Sequence, residues 1–137
     1  MAELKEKARE DSRVSYKGSV ANDEILIAEK AATLLVNPRP TNEEFTKYSF
    51  PSKNMEYMTS GTPLLTTCLP GMPEEYHRYV YLFDDESTAG YASKLSEVLS
   101  LSDNELSQKG KEAKEFVLRE KSNIAQAGRV IQLIKQI

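Results

Sequence analysis

Apolar runs and amphipathic stretches alternate along the first part of the chain. Short β-prone runs predict strands at 14–16, 33–36, 64–68 and 79–83. Apolar residues at helical spacing predict helices at about 2–11, 23–31 and 51–60. Every predicted element after residue 84 is helical, including one helix that begins with a capping box at Ser102–Glu105. The last predicted helix turns its apolar side chains inward, namely Ile124, Ile131 and Ile134.

This alternation predicts the fold class α/β. Strands separated by helices run parallel and are joined by right-handed crossovers, and the continuous apolar run at 33–36 is typical of a strand buried on both faces. We therefore predict a Rossmann-like parallel sheet of short strands with helices on both faces. The chain shows no linker, repeat or low-complexity segment, so residues 1–137 are predicted to form a single domain. Doubly wound nucleotide-binding domains usually have about five or six strands, so this chain resembles such a domain entered partway through.

Composition and charge exclude several classes of protein. The 18 basic and 21 acidic residues give a net charge of −3, and nucleic acid is therefore not a predicted partner. One cysteine and one histidine are too few for a Cys/His zinc site, and one cysteine cannot form an internal disulfide. No apolar run reaches the roughly 18 residues of a membrane span. The chain does not open with a charged segment followed by an apolar leader, so we expect a cytoplasmic protein.

The segment that follows the second predicted strand carries the residue types of an anion site. The helix predicted to begin at Pro51 would present free backbone N–H groups and the positive end of its dipole. Ser52 adds a hydroxyl group and Lys53 adds a cation. Glu56 lies one turn further along the same face, and carboxylates bind ribose hydroxyls well. These residues predict a phosphate site next to a ribose site.

A second loop is predicted at the same edge of the sheet. The segment Pro70-Gly71-Met72-Pro73-Glu74 follows the strand at 64–68, and open parallel sheets bind ligands outside the carboxyl ends of their strands. Gly71 lets the backbone approach a ligand closely. Glu74 can accept hydrogen bonds from sugar hydroxyls. Both residues are therefore predicted to line the site.

The pattern Pro-Ser-Lys-x-x-Glu-Tyr-Met-x-Ser-Gly-Thr-Pro at 51–63 resembles the nucleotide-sugar site of retaining glycosyltransferases with the two-domain GT-B fold. The most similar group is family 4, the glycosyl transferases group 1 type, which includes capsule, O-antigen and lipopolysaccharide sugar transferases. The resemblance runs from about residue 3 to 134. It implies that the chain is the C-terminal, donor-binding part of such an enzyme, truncated at its N-terminus.

The resemblance also implies a role for each predicted site residue. Glu56 matches the second Glu of the family's Glu-x7-Glu motif and would bind the ribose hydroxyls. Ser52 and Lys53 match positions near the diphosphate, and Gly71 and Glu74 match the loop near the donor sugar or its phosphates. The chain departs from the family pattern where the first Glu of the motif should stand, because that position is Tyr48. The upstream strands and the acceptor-binding N-terminal domain are also missing.

The activity implied by the resemblance is hexosyl transfer from a nucleotide-diphosphate sugar to a glycan or lipid-linked acceptor, as in capsule or O-antigen-like polysaccharide synthesis. It implies no cofactor and no metal, and peripheral membrane association of the full enzyme. The catalytic residues are not identified, and this chain alone is expected to be inactive because the acceptor domain and upstream strands are missing. The alternative is a non-catalytic Rossmann-like interaction or nucleotide-binding module. An unpaired edge strand can also pair with a second copy of the chain, so a homodimer is a further partner to consider.

Overall fold

A computed structural model describes residues 2–48 and 52–136 of the chain. Its α-helices are α1 (Ala2–Glu10), α2 (Asn22–Ala31), α3 (Ser52–Ser60), α4 (Thr88–Leu99), α5 (Asp103–Phe116) and α6 (Asn123–Ile134). Its strands are β1 (Leu35–Asn37), β2 (Leu64–Thr67) and β3 (Tyr81–Phe83). Shorter helical segments are the 3₁₀ helices Glu44–Tyr48 and Glu74–Tyr79 and the π-helical turn Val117–Lys121.

The three strands form one parallel sheet in the order β1-β2-β3. Leu35 pairs with Leu64, and Leu65 pairs with Tyr81. The central strand β2 is buried along its whole length, as its continuous apolar and threonine sequence requires. Helices flank this sheet, and the predicted α/β, Rossmann-like class is confirmed.

The predicted strand at 14–16 is wrong, because these residues are irregular backbone with no strand partner in the described part of the chain. A β-prone run becomes a strand only where a neighbouring strand supplies hydrogen-bond partners. The strand predicted at 79–83 begins only at Tyr81, since the residues before it complete the 3₁₀ helix Glu74–Tyr79. Pro51, the predicted first residue of the third helix, lies outside the described residues, and the described helix begins at Ser52.

The core lies where α3 and α5 pack together next to the sheet. Met58 on α3, Leu64 on β2 and Ala113 on α5 are fully buried. The ring of Phe116 stacks on Tyr79 with centroids 4.2 Å apart and meets Tyr76 edge-on at 5.1 Å. This aromatic group joins the C-terminal part of α5 to the segment that leads into β3.

Two glycines set the distance between α3 and α5. Gly61 ends α3 with a φ of 85°, a left-handed conformation that glycine adopts without strain. Gly110 on α5 lies directly on this turn, because a Cβ at Gly110 would be 2.1 Å from the carbonyl oxygen of Gly61. The absence of a side chain at Gly110 therefore lets α5 pack close to the turn and hold α3 in place.

Helix ends after β3 follow the sequence signals, but the last apolar face does not. Ser102 and Glu105 form the predicted capping box at the start of α5. The prediction that three isoleucines of α6 point inward is wrong, because Ile124, Ile131 and Ile134 are 86%, 52% and 64% exposed. Within the described residues, no element covers that face.

The part of the chain that the structure describes contains no helix long and apolar enough to cross a membrane.

Candidate functional site

The first turn of α3 is tied to the carboxyl ends of β1 and β2 by buried polar side chains. Asn37 Nδ2 donates to Asn54 Oδ1 at 2.6 Å, and Asn54 Nδ2 donates to Thr66 Oγ1 at 3.3 Å. Thr66 Oγ1 donates in turn to the carbonyl oxygen of Asn37 at 3.0 Å. Asn54 is completely buried. Asn54 was not predicted as a site residue, although it shares a helical face with the core residue Met58.

The neighbouring threonine fixes the loop that leaves β1. Thr67 Oγ1 accepts a hydrogen bond from the backbone N–H of Arg39 at 2.8 Å and donates one to the Arg39 carbonyl at 2.6 Å. Further along the loop, the backbone N–H of Thr41 donates to Glu86 Oε2 at 3.0 Å. These contacts hold the beginning of the 38–48 loop against β2 and the segment after β3.

Three of the five predicted site residues lie together on the first two turns of α3. Ser52 is exposed at the first helical position. Lys53 Nζ donates to Glu56 Oε1 at 2.9 Å and lies 5.5 Å from the centre of the Tyr57 ring. The hydrogen bond to Glu56 is the largest cause that raises the pKa of Lys53. The predicted cation and carboxylate are thus an ion pair, a contact that the sequence analysis did not predict.

A second carboxyl group, Glu29 on α2, faces this pair from the neighbouring helix. Glu29 Oε1 lies 3.9 Å from Lys53 Nζ, and the side chain is only 5% exposed. Neither carboxylate oxygen has a hydrogen-bond partner among the described residues. Burial is the main cause that raises the pKa of Glu29, and the charge of Glu56 adds to it while Lys53 opposes it. Glu29 was not predicted as a site residue.

The other two predicted residues lie in the loop after β2. Gly71 is exposed, and Glu74 is exposed at the start of a 3₁₀ helix. Backbone bonds from Leu69 to Thr67 at 3.1 Å and from Met72 to Leu69 at 2.9 Å give the loop its tight shape. Within the described ranges, no hydrogen bond or ion pair joins Gly71 or Glu74 to α3. The loop leaves the same edge of the sheet and, in the described part of the chain, forms no hydrogen bond or ion pair with Lys53 or Glu56.

The same loop brings the single cysteine and the single histidine together. Cys68 Sγ lies 3.5 Å from His77 Nε2, and Cys68 is exposed. Residues 2–48 and 52–136 contain no group of three or more His, Cys, Asp or Glu side chains that could hold a metal ion.

Comparison with known families decides what kind of protein carries this site. The sequence model of the family described as glycosyl transferases group 1 matches residues 1–101, which include all three strands, α3 and both loops. The chain belongs to the glycosyl transferases group 1 family. The chain has no significant match among the curated proteins or the solved structures.

Membership in the glycosyl transferases group 1 family supports sugar transfer as the general activity. The match confirms the family that the 51–63 pattern resembles, and it ends at residue 101, just before α5. The first two turns of α3 bring together a cation, a carboxylate and the start of a helix. Lys53 and Glu56 form a partly exposed ion pair one turn apart on this helix.

Proposed function

We propose that the chain binds the nucleoside diphosphate part of a sugar donor at the start of α3. In this proposal, residues 1–137 are a single domain, the C-terminal donor-binding part of a retaining GT-B glycosyltransferase of family 4. The observation that carries the proposal is the Lys53–Glu56 pair on the first two turns of α3, within the segment that the family matches. Ligands of open α/β sheets bind at the edge where such helices begin.

Glu56 would bind the ribose of the donor. An ionised carboxylate offers about four lone-pair sites, and Lys53 uses Oε1 alone. The carboxylate can therefore accept hydrogen bonds from two neighbouring ribose hydroxyls without losing the lysine. The Glu56 side chain is 36% exposed, so a ribose can reach it from solvent.

Ser52, Lys53 and the backbone N–H groups at the start of α3 would receive the diphosphate. During transfer, the bond between the anomeric carbon of the sugar and the diphosphate oxygen breaks, and a bond to an acceptor hydroxyl forms. The leaving diphosphate gathers negative charge, and fixed donors at a helix start stabilise that charge without having to reorganise. Gly71 and Glu74 would lie near the sugar, where Glu74 can accept hydrogen bonds from its hydroxyls.

The acceptor would be a glycan or a lipid-linked saccharide, held by an N-terminal domain of the enzyme. The expected chemistry is hexosyl transfer without a metal ion, as in capsule or O-antigen-like polysaccharide synthesis. Transfer to the acceptor is therefore a property of the two-domain enzyme, and nucleotide binding is the property to test here.

The test is a thermal-shift titration of the protein with UDP, GDP, ADP and CMP. A ligand present at 100 times its Kd adds about 2.7 kcal/mol to the free energy of unfolding, which raises the melting temperature by several degrees. We expect one nucleoside diphosphate to give this shift and Glu56→Ala to abolish it. Glu115→Ala removes an exposed carboxylate from α5 and serves as the matched control. No shift with any nucleotide, or an equal shift in Glu56→Ala, would overturn the proposal and favour the interaction module.

A further inference from the structure

Glu29 is a buried carboxyl group that the proposed binding of a nucleotide does not use. Its side chain is 5% exposed, and both oxygens lack a hydrogen-bond partner among the described residues. Burying a charged or polar group without a partner destabilises a fold, so such a group requires a physical explanation. The groups that Glu29 faces, Lys53 and Glu56, supply this explanation.

Glu29 and Glu56 share one ammonium group. Lys53 Nζ lies 2.9 Å from Glu56 Oε1 and 3.9 Å from Glu29 Oε1. The shorter contact is a hydrogen bond, and the longer one is an electrostatic contact without a hydrogen bond. Lys53 therefore lies between two carboxyl groups, one on its own helix and one on α2.

A buried hydrogen bond also holds the backbone of Glu29 in place. Thr62 Oγ1 donates to the carbonyl oxygen of Glu29 at 2.6 Å, and Thr62 is itself buried. Thr62 directly follows Gly61, the residue that ends α3. This contact fixes the C-terminal part of α2 against the turn after α3, so Glu29 faces Lys53 and Glu56 from a constant position.

The protonation state of Glu29 decides how it can interact with Glu56. As two carboxylates, the groups are both acceptors and repel each other. A protonated Glu29 instead has an O–H donor that the Glu56 carboxylate can accept. Burial is the largest cause that raises the pKa of Glu29, the charge of Glu56 and the hydrogen bond open to the protonated form add to it, and Lys53 opposes them.

The other ionisable groups around Glu29 lie on three segments. Tyr57 faces it from α3, and burial is the main cause that raises the pKa of Tyr57. Glu24 from α2 and Lys17 from the preceding loop line the same cavity as Glu29. Lys53 and Glu56 are the charged groups that act on Glu29 directly, so the behaviour of the site rests on these three side chains.

We propose that Glu29 is a positioning residue for the nucleoside site: together with Lys53, its carboxyl group fixes the Glu56 carboxylate in the orientation that receives the ribose hydroxyls. This inference rests on the proposed function, because it takes Glu56 as the ribose ligand. Glu29 itself does not touch the nucleotide. It acts from its buried position on α2, where it faces the Lys53–Glu56 pair and, when protonated, can donate to Glu56.

The first experiment measures nucleotide affinity by calorimetry from pH 5 to pH 8, with UDP, GDP, ADP and CMP as probes. The variants are Glu29→Gln, Glu29→Leu and Glu56→Ala, with the exposed Asp23→Asn on the same helix as matched control. Glutamine keeps an N–H donor of similar size and cannot ionise. We expect Glu29→Gln to bind within about twofold of the parent at pH 5, and Glu29→Leu to bind about tenfold more weakly.

The pH profile separates positioning from a merely structural role. Ionisation of the nucleotide phosphate affects parent and variants equally. Rising pH ionises Glu29 in the parent but cannot ionise the glutamine that replaces it, so the affinity of the parent should fall relative to that of Glu29→Gln, while Asp23→Asn should follow the parent. Parallel profiles for the parent and Glu29→Gln, or parent-like affinity in Glu29→Leu, would overturn the inference.

The outcome for Glu56→Ala distinguishes the two proposals. If Glu56→Ala binds nucleotide like the parent, or if no probe binds, the proposed function fails and the positioning role fails with it. If Glu56→Ala loses binding and both Glu29 variants behave like the parent, only the positioning role fails.

A second experiment tests the contact between the three side chains without any nucleotide. Carboxyl carbon NMR of the free protein follows the titration of Glu29 directly. We expect Lys53→Met to move that titration to higher pH and Glu56→Gln to move it to lower pH. A Glu29 titration that neither variant moves would refute the coupling on which the inference depends.

Discussion

The close packing of α5 on the turn after α3 gives a sharp prediction for Gly110→Ala. A Cβ at position 110 would lie 2.1 Å from the Gly61 oxygen, 2.8 Å from the Gly61 carbonyl carbon and 2.9 Å from the Pro63 nitrogen. All three are backbone atoms, so no side-chain rotation can relieve the overlap. The substitution must instead displace α5 from the turn.

The magnitude follows from two opposing effects. Alanine favours the helix over glycine by about 1 kcal/mol. The closest contact is about 0.9 Å short of the 3.0 Å that real Cβ atoms respect, and relieving it moves the neighbouring core residues Leu106 and Ala113 as well. Overpacking of this kind costs about 1–3 kcal/mol or more, and a rigid backbone obstacle places it at the upper end. We expect a net loss of about 2 kcal/mol, which lowers the melting temperature of a chain of this size by roughly 8 °C.

The assay is thermal unfolding followed by circular dichroism, with Gly128→Ala on α6 as the control. A Cβ at Gly128 meets nothing within 4 Å, so the same substitution there has only the helix-propensity gain. Gly128→Ala should leave the melting temperature unchanged or raise it by up to about 4 °C. A Gly110→Ala protein as stable as the parent would show that α5 does not pack on Gly61 in this way.

Two further predictions concern a helix cap and the buried carboxyl group. Ser102→Ala removes the hydroxyl that accepts from the backbone N–H of Glu105, and we expect a loss of about 1 kcal/mol in chemical denaturation, whereas Ser107→Ala on the exposed face should cost little. An equal loss in both variants would contradict the capping role. For Glu29, a pKa raised above its ordinary value of 4.5 means that its contribution to stability is complete below 4.5 and declines as the pH rises through the raised pKa. The melting temperature of Glu29→Gln minus that of the parent should therefore increase with pH above 4.5. A difference that is constant with pH would refute the raised pKa.

Signals confined to one segment predicted the fold well. The apolar runs that became β1, β2 and β3 and the capping box of α5 depend on neighbours within a few residues. The predicted strand at 14–16 failed because a strand also needs a partner from elsewhere in the chain. The apolar face of α6 was predicted as inward by its periodicity, which cannot say whether another element covers it.

The candidate site likewise contains residues that local spacing predicted and one residue, Glu29, that it did not predict. Ser52, Lys53 and Glu56 lie on one helix, so their spacing alone predicted that they would share a face. Glu29 was missed because its partners are more than 20 residues away along the chain. A signal for it existed, since Glu29 stands one turn after Ile25 and therefore shares a helical face with this apolar residue. A carboxyl group on an apolar face indicates a partner on the opposing element.

Thr67 attaches the loop after β1 to β2 through backbone atoms of Arg39, so this attachment does not depend on the side chain at position 39. One hydroxyl on β2 satisfies both the N–H and the carbonyl of Arg39, and neither contact involves the arginine side chain. Any residue at position 39 that has a backbone N–H can make the same two bonds. The side chains of the loop can therefore be changed while Thr67 continues to hold the backbone at position 39 against β2.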